Sequence, residues 1–192
     1  MAKYGFYFNM CECIGCRTCQ VACKDKNDLD VGTLFRKVLS FETGKFPAAR
    51  LYHYSGSCNH CEFAKCAEGC PTGAMHYADD GTVQHKSSLC IGCRYCTWNC
   101  PYGAPQYRPE IKKVGKCDAC KNLTDNKGVP ICVDACAMRC LKWGTMEDLR
   151  AAYGAEAVQD LPILPDSSIT KPGLLVKPKI YAYNKDYTVK EI

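Results

Sequence analysis

An α+β fold of short strands and short helices wrapped around bound metal is what this sequence predicts, and three observations predict it. Sixteen of the eighteen cysteines fall into four groups of four. Between the groups lie only brief apolar or aromatic runs, broken by 15 glycines and 10 prolines, so no element can be long. The groups also divide the chain into quarters of similar make-up, each a short strand or turn, a cysteine loop and a helix opening at the last cysteines, as internal duplication produces.

Spacing within the groups points to iron–sulfur clusters. Cys90, Cys93, Cys96 and Cys100, followed by Pro101, read C-x2-C-x2-C-x3-C-P, the run found in bacterial ferredoxins. Cys13, Cys16, Cys19 and Cys23 repeat it without the proline. Cys58, Cys61, Cys66 and Cys70 before Pro71 stretch the middle gap, and Cys117, Cys120, Cys132 and Cys136 stretch it further. A cubane needs three thiolates converging from one side, and a C-x2-C-x2-C loop wraps the chain so that backbone amides also face the sulfurs. Gly15 and Gly92, each just before the second cysteine of its group, are read as leaving room where a side chain would crowd the metal. The fourth cysteine, one helical turn on, points elsewhere and in two-cluster ferredoxins ligates the other cluster, so the groups are expected to work in pairs.

Two other chemistries fit less well. Disulfide-dense scaffolds are usually short because they lack room for a core, whereas this chain has 192 residues. Structural zinc suits the fourth group taken alone, C-x2-C-x11-C-x3-C, but not beside two tight ferredoxin runs. A radical-forming C-x3-C-x2-C motif is absent. The formal charge of +5 would ordinarily raise nucleic acid or an acidic membrane as partners. Four oxidised cubanes at about −2 each bring the total to roughly −3, so the basic residues read as counterweight, and no nucleic-acid partner is expected. Arg94, Arg108, Lys112, Lys113, Arg139 and Lys142 lie near the cysteine groups in sequence, where positive charge raises a cluster's potential, although a solvated surface position is the ordinary reading of each.

The elements follow in order. Tyr4, Phe6 and Phe8 alternate as a strand does, which reads as a strand rather than a signal peptide. Localisation is therefore expected to be cytoplasmic, or exported folded with a signal-bearing partner and peripheral to a membrane. No apolar run approaches the roughly 18 residues of a spanning helix. Residues 31–55 read as two strands through a Gly/Pro turn, and residues 74–85 as a hairpin turning on Asp80-Gly81. A helix is predicted over 146–153, capped by Thr145 and stopped by Gly154. Residues 161–192, with four prolines, Leu174-Leu175-Val176 and three tyrosines, cannot bury a core alone and are expected to lie extended along another surface, that of a partner.

The run Cys90-Ile-Gly-Cys-Arg-Tyr-Cys-Thr-Trp-Asn-Cys-Pro-Tyr-Gly-Ala-Pro-Gln-Tyr107, with Ser57-Cys-Asn-His-Cys-Glu62 before it and Lys116-Cys-Asp-Ala-Cys120 after it, resembles the four-cluster iron–sulfur (beta) subunit of the dimethyl sulfoxide reductase family of molybdopterin oxidoreductases. The likeness covers nearly the whole chain, including Thr170-Lys-Pro-Gly-Leu-Leu-Val-Lys-Pro178. It implies two bacterial ferredoxin-like halves, the second inserted in the first: residues 1–50 plus 108–144 with groups one and four, residues 51–107 with groups two and three, and residues 145–192 as a short helix and partner-binding tail. It implies crossed ligation of four [4Fe-4S] clusters. Cluster one would take Cys13, Cys16, Cys19 and Cys136; cluster two, Cys117, Cys120, Cys132 and Cys23; cluster three, Cys58, Cys61, Cys66 and Cys100; cluster four, Cys90, Cys93, Cys96 and Cys70. Some relatives lose one third-group cysteine and hold a three-iron cluster, so Cys93 implies four cubanes here.

The same resemblance implies a non-catalytic electron-transfer subunit docked on a catalytic subunit that alone holds molybdopterin guanine dinucleotide, with a membrane anchor or soluble redox carrier as a further partner. No residue reads as a catalyst. The alternative is a free-standing polyferredoxin or hydrogenase-linked carrier, which should lack a partner-wrapping tail. His60 and His85 are read as surface or hydrogen-bonding residues, since histidine ligation marks a different cluster type. Tyr95 and Trp98 are expected to cover the third group. Cys11 and Cys140 lie outside the sixteen and are read as inert buried thiols, with a disulfide between them as the sharper possibility. Ala137 stands where the family often has proline.

Overall fold

In a computed structural model, which describes residues 3–190, the polypeptide folds around two three-stranded sheets and two small hairpins. The first sheet centres on β1 (Tyr4–Asn9), flanked by β8 (Leu141–Thr145) antiparallel and β9 (Leu174–Lys177) parallel. The second has β2 (Lys37–Thr43) between β3 (Arg50–Gly56) and β10 (Tyr187–Lys190), all antiparallel. Hairpins β4 (Met75–Tyr77) with β5 (Val83–His85), and β6 (Gln106–Arg108) with β7 (Lys113–Gly115), complete the strands.

The aromatic alternation of β1 has a fuller outcome than one buried face, because the strand is buried from Gly5 to Asn9. Phe6 and Phe8 face a core shared with Val38, Phe41, Tyr52 and Leu141. Tyr7 faces the other way and stacks on Tyr153 at 4.0 Å, within a cluster made with Met146, Leu149 and Leu175. That second cover is α6 (Met146–Tyr153), whose cap Thr145 accepts the Asp148 amide at 3.1 Å, as the sequence implies. A central strand covered on both faces reads as continuously apolar rather than alternating.

Short helices open at the cysteine loops: α1 (Thr18–Lys26), α2 (Lys65–Glu68), α3 (Tyr95–Asn99) and α5 (Ile131–Asp134) each carry one or two cysteines, and α4 (Lys121–Thr124) follows Cys120. Repetition is visible in the dihedrals. Arg17 after Cys16 and Arg94 after Cys93 are both left-handed, with φ of 62° and 63°, and the preceding Gly15 and Gly92 have φ of 73° and 72°. An arginine in that region bears a steric cost, which the cysteine loop imposes alike on both copies.

Three expectations change. Asp80-Gly81 does not make a two-residue turn: the last β4–β5 pair is Tyr77 with Val83, and the Ala78 amide bonds the Thr82 carbonyl, because the Asp80 carboxylate accepts both the amide and the hydroxyl of Thr82 and widens the loop. Gly154 ends α6 in right-handed rather than left-handed backbone. The surface along which residues 161–190 lie is this protein's own. β9 completes the first sheet with Leu174, Leu175 and Val176 buried, β10 covers the edge of β2, and Tyr187 meets Phe41 edge-on at 5.5 Å. Part of the apolar content of that segment is thus spent inside the fold, while Ile169, Ile180, Tyr183 and Val189 stay exposed. Leu174→Ala, at a side chain 3% exposed, is expected to cost about 2–5 kcal/mol. A urea titration followed by circular dichroism should show the lower midpoint.

Candidate metal centres

The cysteines gather in the fold into sets that mix groups distant in sequence. Cys13, Cys16, Cys19 and Cys136 line one cavity with about 320 Å³ of empty space; Cys70, Cys90, Cys93 and Cys96 line another of about 310 Å³; Cys58, Cys61, Cys66 and Cys100 line a third of about 290 Å³. Three sets of thiols thus line hollows of nearly one size. Cys23, on α1, lies with Cys117, Cys120 and Cys132, close enough that neighbouring thiols, after burial, contribute to raising its pKa to about 12.

Ionising four sulfurs in such surroundings is unfavourable without added positive charge. Burial pushes the thiols of Cys61 and Cys66 up to about 12, and that of Cys96 to about 11. A bound cationic cluster core reverses this, since a metal-coordinating thiol is deprotonated outright. The donor sets therefore fit a thiolate-ligated metal cluster. Among the described residues no three His, Cys, Asp or Glu side chains converge on a point suited to a single ion.

One backbone device recurs. After Cys70 the sequence reads Pro-Thr-Gly-Ala and after Cys100 Pro-Tyr-Gly-Ala, with left-handed Gly73 and Gly103. The proline has no N–H, and amides that follow it turn back on the cysteine sulfur: those of Thr72, Ala74 and Met75 around Cys70, and of Tyr102, Gly103 and Ala104 around Cys100. Amides aimed at a sulfur stabilise its negative charge. In the fourth group Ala137 replaces the proline, Arg139 takes the left-handed position with φ 51°, and Cys140 stands where the other turns have Ala74 and Ala104.

That register explains Cys140. Its sulfur is buried at the first cavity, 3.4 Å from that of Cys136, and hydrogen-bonds Cys13, which lowers the Cys13 pKa to about 7 and raises its own. Cys11 is exposed, its sulfur 3.5 Å from the Pro178 carbonyl, and both cysteines are free thiols. The expected neighbourhood of strands holds, since the Asn9 amide bonds the Cys140 carbonyl at 2.8 Å, but the side chains diverge and no disulfide joins them. Cys11 is not an inert buried thiol.

Other expectations are corrected here. Trp98 is 84% exposed and Tyr95 51% exposed, so neither covers the third group; α3 is a single turn that places them outward. Gly15 and Gly92 supply the expected backbone freedom, both being left-handed, and they also make room for protein. A side chain at Gly15 would strike the His53 ring at 2.6 Å, and one at Gly92 the carbonyl of Lys112. His60 is fully buried, its Nδ1 accepting the Val83 amide at 3.1 Å, so the proton sits on Nε2, and burial holds the ring well below the usual histidine range. Arg94 is exposed and lies over the Tyr107 ring at 3.6 Å, yet it lines the cavity of Cys70, Cys90, Cys93 and Cys96, while Arg108 pairs with Glu110. The basic residues inside are Arg36 and Lys116. Lys116 directly precedes Cys117, so proximity in sequence points to it, whereas Arg36 lies far from any cysteine group along the chain. Arg36 shares the inward period of Val38 and Ser40, the one signal of its burial.

Cysteine loops, paired short helices and thiol-lined cavities define an iron–sulfur electron carrier of the dicluster type. The profile of the 4Fe-4S dicluster domain matches residues 49–146. The B subunit of anaerobic dimethyl sulfoxide reductase from Haemophilus influenzae is 42% identical over 191 residues, covering 95% of this sequence and 92% of its own. The corresponding B subunit from Escherichia coli strain K12 is 40% identical over 184 residues, covering 92% and 89%. NrfC of the same strain is 35% identical over 182 residues, covering 93% and 79%. The chain thus belongs to the family of the anaerobic dimethyl sulfoxide reductase iron–sulfur subunit. It is a non-catalytic electron-transfer subunit. No helix among the described residues is long and apolar enough to cross a membrane.

The glycine geometry yields a paired test. Gly73→Ala, where φ is positive but nothing lies within 4 Å, is expected to cost only the left-handed penalty of roughly 1–2 kcal/mol. Gly92→Ala must also displace the Lys112 backbone, and should retain measurably less iron per polypeptide than Gly73→Ala after anaerobic reconstitution.

Proposed function

We propose that this protein relays single electrons through four [4Fe-4S] clusters to or from a molybdopterin-containing catalytic subunit, with two ferredoxin-like halves, the second inserted in the first. The observation that carries the reading is the row of cysteine sets leading from one surface to another. Cys16 is exposed at one end and Cys93 at the other. Between them, Cys19 of the first set is close enough to Cys132 of the second to shift its ionisation, Cys117 of the second is likewise close to Cys58 of the third, and Cys66 of the third packs with Cys96 of the fourth. When bound, the clusters supply one-electron chemistry. The protein's own residues hold them in line, exclude water with Val83, Val114 and Met75, and aim amides at the sulfurs of Cys70 and Cys100.

Cys13, Cys16, Cys19 and Cys136 would hold one cubane, Cys117, Cys120, Cys132 and Cys23 the second, Cys58, Cys61, Cys66 and Cys100 the third, and Cys90, Cys93, Cys96 and Cys70 the fourth. The free-standing carrier loses one discriminator, because the C-terminal segment packs on the protein itself; the length over which the dimethyl sulfoxide reductase subunits align favours the subunit reading. Copurification with a molybdenum- or tungsten-containing subunit is the expected result, and a functional monomer with no such subunit would overturn it.

Crossed ligation has a direct consequence. Cys100→Ser, although in the third group, should perturb the same electron paramagnetic resonance signal as Cys58→Ser and leave that lost in Cys90→Ser; the opposite pairing would mean uncrossed halves. The first cavity, with five cysteine sulfurs, calls for a second comparison. Cys140→Ala restores the alanine of the sister turns and is expected to keep full iron, whereas Cys136→Ala should lose or convert one cluster. Iron loss in Cys140→Ala with retention in Cys136→Ala would make Cys140 the ligand.

A further inference from the structure

Only two charged side chains among the described residues are buried, Arg36 at 2% and Lys116 at 4% exposure, and both are cations. Neither meets a carboxylate. Arg36 donates to the carbonyl and hydroxyl of Ser55, each at 3.0 Å, and to the Ser57 hydroxyl at 2.8 Å, lies 4.6 Å over the Phe6 ring, and leaves its Nε unpartnered. Lys116 donates to the carbonyls of Val83 and Cys117, at 2.5 and 2.8 Å. Removing one partner of a buried ion pair is strongly destabilising, so a buried cation needs negative charge nearby. The negative charge available is that of the cysteine sets.

Placement is specific. Ser55, which holds Arg36, is 3.4 Å from the Cys19 sulfur. The thiolates that act on Arg36 are those of Cys19, from the first set, and Cys23, Cys117 and Cys132, all from the second. Lys116 precedes Cys117 of the second set and lines the cavity of the third. Each cation therefore stands at a junction, Arg36 between sets one and two, Lys116 between sets two and three.

Resting on the four-cluster reading, we propose that Arg36 and Lys116 are the internal counter-ions of the buried clusters and position the charge that holds up the reduction potentials of clusters one and two, and of two and three, respectively. Reduction adds an electron to a site already negative, and a fixed cation in a medium of low dielectric favours that added charge. The exposed basic residues are screened by water and contribute much less.

The test is a redox titration of the purified, cluster-loaded complex followed by electron paramagnetic resonance. Arg36→Gln is expected to shift two of the four midpoints downward, each by about a tenfold change in the reduced-to-oxidised ratio at fixed potential, which is about 59 mV for one electron. Arg36→Lys should keep most of the wild-type values. Lys116→Gln should shift a pair that shares one member with the first. Unmoved midpoints in neutral variants with full iron would overturn the proposal, as would an Arg36→Lys shift as large as that of Arg36→Gln, which would assign the effect to the serine hydrogen bonds. Should Arg36→Gln lose iron, Arg36→Lys and Ser57→Ala, which both keep the cation, must retain it, and iron loss from either refutes the counter-ion role. Fewer than four clusters in the wild-type protein would instead defeat the four-cluster reading.

Discussion

Negative charge inside the protein is the constraint to which the rest of the structure answers. Sixteen thiols gather in sets of four, and burial raises the cost of ionising the inner ones, Cys23, Cys61, Cys66, Cys96 and Cys117 among them. Thiolate ligation of a cationic core meets part of that cost. Backbone amides meet more, through the Pro-x-Gly-Ala turns that wrap Cys70 and Cys100, and two buried cations stand beside the sets. Burial that would be a liability in an ordinary domain becomes the means by which potential is set.

Holding the sets in register then falls to the sheets. β1 leads into the first cysteine loop and β8 leaves the fourth, so pairing Phe8 with Leu141 brings the first and fourth cysteine groups together. The same strand accepts β9 on its other edge, and β10 closes β2, so the segment furthest along the sequence from the first cysteines ties the sheets that align them. A core of Phe6, Phe8, Phe41, Tyr52 and Leu174 shows that the fold relies on hydrophobic packing as well as on its metal-binding loops.

Much of this is legible because the relevant signals are short-range. The cysteine spacing, the helix over 146–153 with its threonine cap, and the strand pair β2–β3 all depend on residues a few positions apart, and they fold as the sequence implies. Orientation is where local signals fail. Trp98 beside a cysteine loop reads as cover, yet a one-turn helix turns it to solvent. The apolar tail reads as lying on a partner because the open edges of β1 and β2 that it fills are formed by strands more than a hundred residues away. Arg94 and Arg108 read as counterweights from proximity in sequence, whereas the buried charges are Arg36 and Lys116; the place of Lys116 directly before Cys117 and the inward phase of Arg36 are the hints of this.

The sequence by itself determined the chemistry: four loops whose few covalent links bring cysteines together wherever the loop lies, hence iron–sulfur binding and electron transfer. Tertiary structure alone decided what stands around each set. It placed Cys140 against Cys13 and Cys136, sent Cys11 to the surface, seated Arg36 and Lys116 at the junctions, and folded the tail onto its own sheets. Those outcomes depend on which distant faces pack together, and a local spacing carries no record of that.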